Sequence, residues 1–165
     1  MIPSYRLLAN RIRHELDDLA KVVQRAEDAV TRAKQSPADQ DFFLASASLD
    51  LHGFYAGTER LFELVADNID RSRPTSPHWH RDLLEQMAVG AEGVRPALIQ
   101  QETQNALREY LDFRHVIRNV YTFNLRPTRV AELVKGVQYA YVLVKKDLLA
   151  FAQYLDQLAK ADEVE

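Results

Sequence analysis

Apolar residues recur every three or four positions along most of this chain, the spacing that places them on one face of an α-helix. In the N-terminal part this stripe consists of Leu8, Ile12, Leu16, Leu19, Val23, Ala26 and Val30. Ser4 is the predicted N-cap of the first helix. The helix should end near Gln35, because Pro37 disfavours helical backbone in the residue before it.

The same pattern, broken by proline- and glycine-containing loops, predicts four long helices and one short one. Their expected ranges are 4–35, 39–69, 78–89, 99–120 and 127–159. No segment alternates as a strand would, so the predicted fold is an all-α, up-and-down bundle that forms a single domain over residues 1–165. Gly53 and Gly57 lie inside the second helix. The apolar pattern continues on both sides of them, which favours close approach of another helix over a break.

Composition narrows the class of protein without naming a function. The chain has 165 residues, of which 47% are hydrophobic and 27% charged, as in ordinary globular domains. It has no cysteine, which excludes disulfides and fits a cytoplasmic location. No apolar run approaches the length of a membrane helix, and the N-terminus does not resemble a signal peptide. A net charge of −3 means that any nucleic-acid contact must come from a local basic patch.

The most unusual segment is FRHVIRNVY, residues 113–121, at the end of the fourth predicted helix. At about 100° per residue, one side of this helix carries a predicted core stripe, namely Phe113, Val116, Ile117 and Val120. Arg114 and Arg118 lie together on the opposite side, with His115 beside them. Tyr121 is expected nearly in line with Arg114, and Asn119 on the other flank. Two guanidiniums one turn apart favour a bound phosphate, to which arginine offers bidentate donors.

An ordinary surface helix also has a polar band opposite its apolar stripe. In that interpretation His115 is simply solvated, and Glu109 or Asp112 pairs with the arginines. Periodicity alone favours this alternative.

The order of residues in the segment resembles the signature of HEPN-domain proteins, in particular their HepT-like branch. That signature is arginine, a polar residue, three further positions, histidine, any residue and tyrosine, and it aligns with residues 114–121. The phrases LHGFYAGTERLF at 51–62, WHRDLL at 79–84 and YTFNL at 121–125 are also similar to that branch. The resemblance covers roughly residues 39–134. It implies a small helical bundle that acts as the toxin of a toxin–antitoxin module.

The resemblance also implies a reaction, the cleavage of RNA without a metal ion or any other cofactor. One candidate substrate is tRNA. Arg114 and Arg118 would hold the phosphate, and the motif histidine would activate the ribose 2′-hydroxyl. This chain departs from the signature because Asn119 stands where the histidine is expected. Asparagine can position a hydroxyl but cannot take up a proton near neutral pH. Either His115 replaces the missing base, or the protein is an inactive HEPN binding module.

The resemblance assigns Tyr121 a separate role, as the acceptor to which an MntA-like nucleotidyltransferase antitoxin attaches AMP. Bulky, anionic AMP beside Arg114 would block the path of RNA. The alternative is that Tyr121 packs on the core with only its hydroxyl at the surface. The family also implies a homodimer in which both motif helices line one cleft.

The remaining polar residues have simpler predicted roles. Glu59 and Arg60 are expected to form a local ion pair. His78 and His80 are two positions apart and so do not share a helical face, which predicts capping and packing rather than a metal site. His14 and His52 are interpreted as isolated, structural histidines. An unrelated metal-binding bundle would need Glu-x-x-His pairs, and the sequence contains none.

Overall fold

The computed structural model describes residues 2–164, except for the side chains of Ile2, Pro3 and Thr122. It confirms the all-α bundle. Its helices are α1 (Ile2–Gln35), α2 (Gln40–Val65), α3 (Trp79–Met87), α4 (Gln101–Asn119) and α5 (Pro127–Val164). Short 3₁₀ turns cover Pro37–Asp39 and Thr122–Asn124, and a π-helical turn, Ala66–Asp70, extends α2. No strand occurs in this part of the chain.

Most predicted boundaries lie within a few residues of the observed ones, but two expectations were wrong. Because α1 begins at Ile2, Ser4 lies inside its first turn and does not occupy the N-cap position. α5 continues to Val164, five residues beyond its predicted end. Among the described residues, no helix is both long and apolar enough to cross a membrane.

The second helix lies at the centre of the bundle. α1 packs along both α2 and α5, and α2 also contacts α3, α4 and α5. Burial on several sides explains why α2 carries apolar residues around much of its circumference. Its largest fully buried side chains are Leu51, Phe54, Tyr55, Leu61 and Phe62.

α2 approaches α1 closely at Gly57. A Cβ atom placed on Gly57 would come within 2.6 Å of Leu19 Cδ2, and Leu19 is itself buried. The Cβ of a residue at Gly53 would meet only Val22, at an ordinary 3.8 Å. The predicted close approach is therefore confirmed at Gly57 and not at Gly53.

Polar contacts fix α4 against α5 at two points. The Tyr110 hydroxyl donates to the carbonyl oxygen of Leu133 at 2.7 Å. At the beginning of α4, the buried Asp147 carboxylate accepts hydrogen bonds from the Thr103 hydroxyl at 2.6 Å and from the Gln100 amide at 2.9 Å. A carboxylate at a helix N-terminus satisfies otherwise unpaired amides and complements the helix dipole.

A buried ion pair holds the loop before α4. The Arg95 guanidinium donates to both carboxylate oxygens of Asp70, at 2.6 and 2.8 Å, and also to the carbonyl oxygens of Gln86 and Val89. Because its hydrogen-bonding capacity is used within the fold, Arg95 acts as a structural arginine.

The difference between the two glycines can be measured with a matched pair of variants. Replacing Gly53 with alanine should stabilise the protein by about 0.5–1 kcal/mol, because alanine is the better helix former and has room. Replacing Gly57 with alanine brings the same gain but an overpacking cost of roughly 1–3 kcal/mol against Leu19. Chemical denaturation of both variants tests this prediction, and equal stabilities would contradict it.

Candidate functional site

The predicted motif lies on the last turns of α4, where the helix ends earlier than expected. Asn119 is its last residue, and Val120 has extended backbone angles, φ −131° and ψ 152°. Tyr121 therefore follows the helix and does not continue the line of Arg114, as the helical projection had suggested. The outward band retains Arg114, His115, Arg118 and Asn119.

The predicted core stripe of this segment was only half right. Phe113 is buried and Ile117 partly so, but Val116 and Val120 are 43% and 40% exposed. These two valines line an open groove of about 240 Å³ between the end of α4 and the start of α5. The groove also contains Asp112, Asn124, Leu125, Arg126, Arg129 and Val130. The final turns of α4 thus extend past the apolar surface that covers Phe113.

Both motif arginines have their charge available. Arg114 is half-buried and Arg118 exposed. Neither side chain forms an ion pair or a hydrogen bond with another side chain in the described part of the chain. The alternative in which Glu109 or Asp112 neutralises them is therefore not what the structure contains. By contrast, Arg60 pairs with Glu15 of α1 at 3.1 Å.

His52 of α2 belongs to the surroundings of these arginines, which sequence reasoning missed. Its side chain is half-buried, and its Nδ1 atom is enclosed without a hydrogen-bond partner among the described residues. Burial lowers the pKa of His52, and the positive charges of Arg114 and Arg118 lower it further. The prediction that His52 is an isolated histidine was therefore wrong, because it lies within electrostatic range of the motif arginines.

Tyr55 lies one turn along α2 from His52 and is fully buried. Its hydroxyl has no hydrogen-bond partner within the described residues. Burial raises its pKa most strongly. The negative charges of Glu59 and Asp112 raise that pKa too, whereas Arg114 lowers it. A buried hydroxyl without a partner is uncommon and costs free energy, which often marks a functional position.

Glu59 completes a polar row with His52 and Tyr55, since the three residues are spaced i, i+3 and i+7 on one face of α2. Both of its carboxylate oxygens lie 2.9 Å from Nδ1 of His80 on α3. The expected ion pair between Glu59 and Arg60 was therefore wrong. The packing role of His80 is confirmed by its ring, whose centroid lies 3.6 Å from that of Trp79. The spacing of this row was the sequence signal that could have revealed it.

The side chains at the two candidate base positions of the motif differ in their contacts. Asn119 Nδ2 donates to the carbonyl oxygen of His115 at 2.6 Å, so this amide caps its own helix. The His115 side chain is exposed, and no hydrogen bond to it occurs among the described residues. Neither side chain is oriented by a second partner.

Tyr121 and Phe123 form an exposed aromatic pair directly after the motif. They are 73% and 75% exposed, and their rings stack in parallel, with centroids 5.4 Å apart and planes 5° apart. Tyr121 thus does not pack on the core. Its side chain is open to a modifying enzyme or to a stacked base.

Comparison with protein-family models matches residues 46–155 to the family described as HepT-like protein. This match covers α3, α4 and the connector, together with most of α2 and α5. The chain belongs to the HepT-like family of HEPN proteins. Neither the curated proteins nor the solved structures that were searched gave a match. Membership is consistent with a HEPN-type toxin module, and the matched range contains every residue of the candidate site.

The depressed pKa of His52 predicts a pH-dependent term in the stability of this HepT-like protein. The unfolded chain, with an ordinary histidine pKa of 6.5, binds the proton more tightly than the folded protein does. Stability should therefore be full above about pH 6.5 and should fall as the pH drops from there through the folded-state pKa. Thermal unfolding at about pH 7.5 and about pH 5 should show a smaller loss of Tm in His52→Asn than in the wild type. His14→Asn, which changes an exposed histidine of α1, is the control. Equal losses in His52→Asn and the wild type would contradict the prediction.

Proposed function

We propose that this protein is the toxin of a two-component module and cleaves RNA at phosphodiester bonds without a metal ion. The observation that carries the proposal is the pair of unneutralised guanidiniums, Arg114 and Arg118, one turn apart on α4 and within electrostatic range of the half-buried His52. Such a pair suits a phosphate, because each arginine can donate two parallel hydrogen bonds to its oxygens. Positive charge beside the phosphate also stabilises the negative charge that develops during attack.

The proposed reaction is attack of a ribose 2′-hydroxyl on the adjacent phosphorus. A bond forms between the 2′-oxygen and phosphorus, and the bond from phosphorus to the 5′-oxygen breaks. The products are a 2′,3′-cyclic phosphate and a 5′-hydroxyl. The arginines hold the phosphate, and Tyr121 with Phe123 offers a surface on which an unpaired base can stack.

We base the proposed partners, a second copy of the chain and a nucleotidyltransferase, on the family and on the exposure of Tyr121. In the cytoplasm, two copies of the chain would place their α4 helices along one cleft, so that four guanidiniums converge on the RNA. An MntA-like nucleotidyltransferase would attach AMP to the Tyr121 hydroxyl. Anionic AMP there would compete with RNA for Arg114 and Arg118.

The second candidate function is a non-enzymatic binding module that keeps the HepT-like bundle and its nucleotidyltransferase partner. The observation that favours it is Asn119, whose amide is hydrogen-bonded within its own helix and accepts no proton.

The ribonuclease function is tested by replacing Arg114 with alanine. Cleavage of mixed single-stranded RNA and tRNA in the presence of EDTA should fall by about 10²-fold or more, because the charge that stabilises the transition state is removed. Arg108→Ala, an exposed arginine elsewhere on the same helix, is the matched control and should cleave like the wild type. Full activity in Arg114→Ala would remove the assignment.

The same assay separates the two candidate functions. An inactive wild type combined with an active Asn119→His variant would identify the chain as a binding module that has lost its base. Cleavage of RNA by the wild type would exclude the non-enzymatic binding function.

The proposed modification is tested by co-expression with an MntA-like nucleotidyltransferase. Intact mass should increase by whole AMP units, and peptide mapping should place them on Tyr121, because its side chain is open to a second protein. Tyr121→Phe should lose the added mass. Tyr139→Phe, which changes a tyrosine that is also more than half exposed, should keep it. Added mass that persists in Tyr121→Phe would count against this acceptor.

A further inference from the structure

The departure from the family signature leaves the proposed reaction without its expected base. Asn119 cannot accept a proton near neutral pH, and its amide is bound to the carbonyl oxygen of His115. His115 itself is exposed and has no partner in the described residues that would orient its ring. A general base needs a fixed position relative to the proton that it removes.

The half-buried His52 has the enclosure that His115 lacks. α2 packs against α4, where Phe54 meets Tyr110 edge to face, and the α4 residues Arg114 and Arg118 lie within electrostatic range of His52. The Nδ1 atom of His52 is enclosed, while the ring as a whole remains partly open. Nε2 is therefore the ring nitrogen left to meet a ligand. One turn along α2, the buried Tyr55 hydroxyl also lacks a partner.

We infer that His52 is the general base of this site and takes the place of the motif histidine. Its Nε2 removes the proton from the ribose 2′-hydroxyl while Arg114 and Arg118 hold the neighbouring phosphate. The leaving 5′-oxygen takes a proton from water, and His52 afterwards returns its proton to solvent. This inference rests on the proposed ribonuclease function and names the residue that would carry out its proton transfer.

The charged surroundings of His52 suit this role. The two arginines of α4 lower its pKa in addition to the effect of burial, which keeps the imidazole neutral and able to accept a proton. Among the other charged groups of the elements packed here, Asp112 of α4 is exposed and has no ion-pair partner in the described residues, whereas two groups on α1 and α3 are paired. Arg25 of α1 lies 3.7 Å from Asp50, and His80 of α3 is held by Glu59.

The decisive variant is His52→Asn, which keeps a polar side chain of similar size but cannot take up the proton. Cleavage of single-stranded RNA in EDTA should fall by about 10²-fold or more, the usual contribution of general base catalysis. RNA binding, measured by fluorescence anisotropy, should change little because the phosphate contacts of the two arginines remain. His14→Asn is the control for loss of an exposed histidine, and circular dichroism checks folding.

The pH dependence gives a readout that a structural role would not move. The acidic limb of kcat/KM should reflect a pKa below the ordinary histidine value of 6.5. In Arg118→Gln, the loss of one positive charge should move this limb to higher pH, whatever the loss in absolute rate. If the acidic limb of the pH profile of kcat/KM stays at the same pH in Arg118→Gln, the assignment of His52 as the base is overturned.

The outcomes distinguish this inference from the function on which it rests. If the wild type cleaves RNA and His52→Asn cleaves equally well, His52 is not the base, and the ribonuclease function stands. If His115→Asn loses activity instead, the base is His115. If the wild type cleaves no RNA under any condition, the proposed ribonuclease function fails together with this inference.

Discussion

The packing of α2 between α1 and α4 is the constraint on which the rest of this structure depends. On one side, α2 approaches α1 so closely that Gly57 leaves no room for a Cβ atom beside Leu19. On another side, Phe54 meets Tyr110 of α4 edge to face. A helix held on both sides cannot rotate or slide without opening the core. The polar row of α2, His52, Tyr55 and Glu59, is therefore held in position.

This constraint explains why an acidic protein can present a basic site. The site requires only that two guanidiniums on α4 remain unneutralised. Asp112, two residues before Arg114, is exposed and forms no ion pair within the described residues, and other carboxylates of the bundle have their own partners. Glu15 pairs with Arg60, Asp70 with Arg95, and Glu59 with His80. The arrangement leaves Arg114 and Arg118 as a local positive patch on a chain of net charge −3. A local patch of this kind favours one class of anionic ligand without broad attraction to nucleic acid.

The helical elements were largely predictable because helix formation depends on local periodicity and on the positions of proline and glycine. The same local signals placed Arg114 and Arg118 one turn apart on the outside of α4, and membership of the family that the segment resembles was confirmed by a match over residues 46–155. The errors in the helical pattern of this segment occur where the helix ends. Val116 and Val120 have core-like spacing, but no element of the described chain buries them, and they remain 43% and 40% exposed. Tyr121 leaves the helix because the backbone becomes extended at Val120. Periodicity describes which face a residue occupies and does not reveal whether another element reaches it.

By itself, the sequence determined the class of fold, the breaks between helices, the family and the spacing of the two arginines, since all of these depend on residues close together in the chain. Only the tertiary structure decided that His52 and Tyr55 lie near those arginines and that Glu59 pairs with His80 and not with Arg60. These neighbours belong to different helices. Their proximity results from how α2, α3 and α4 pack, which no local pattern encodes. Burial and the electric field at His52 follow from that packing, and with them the chemistry open to the site.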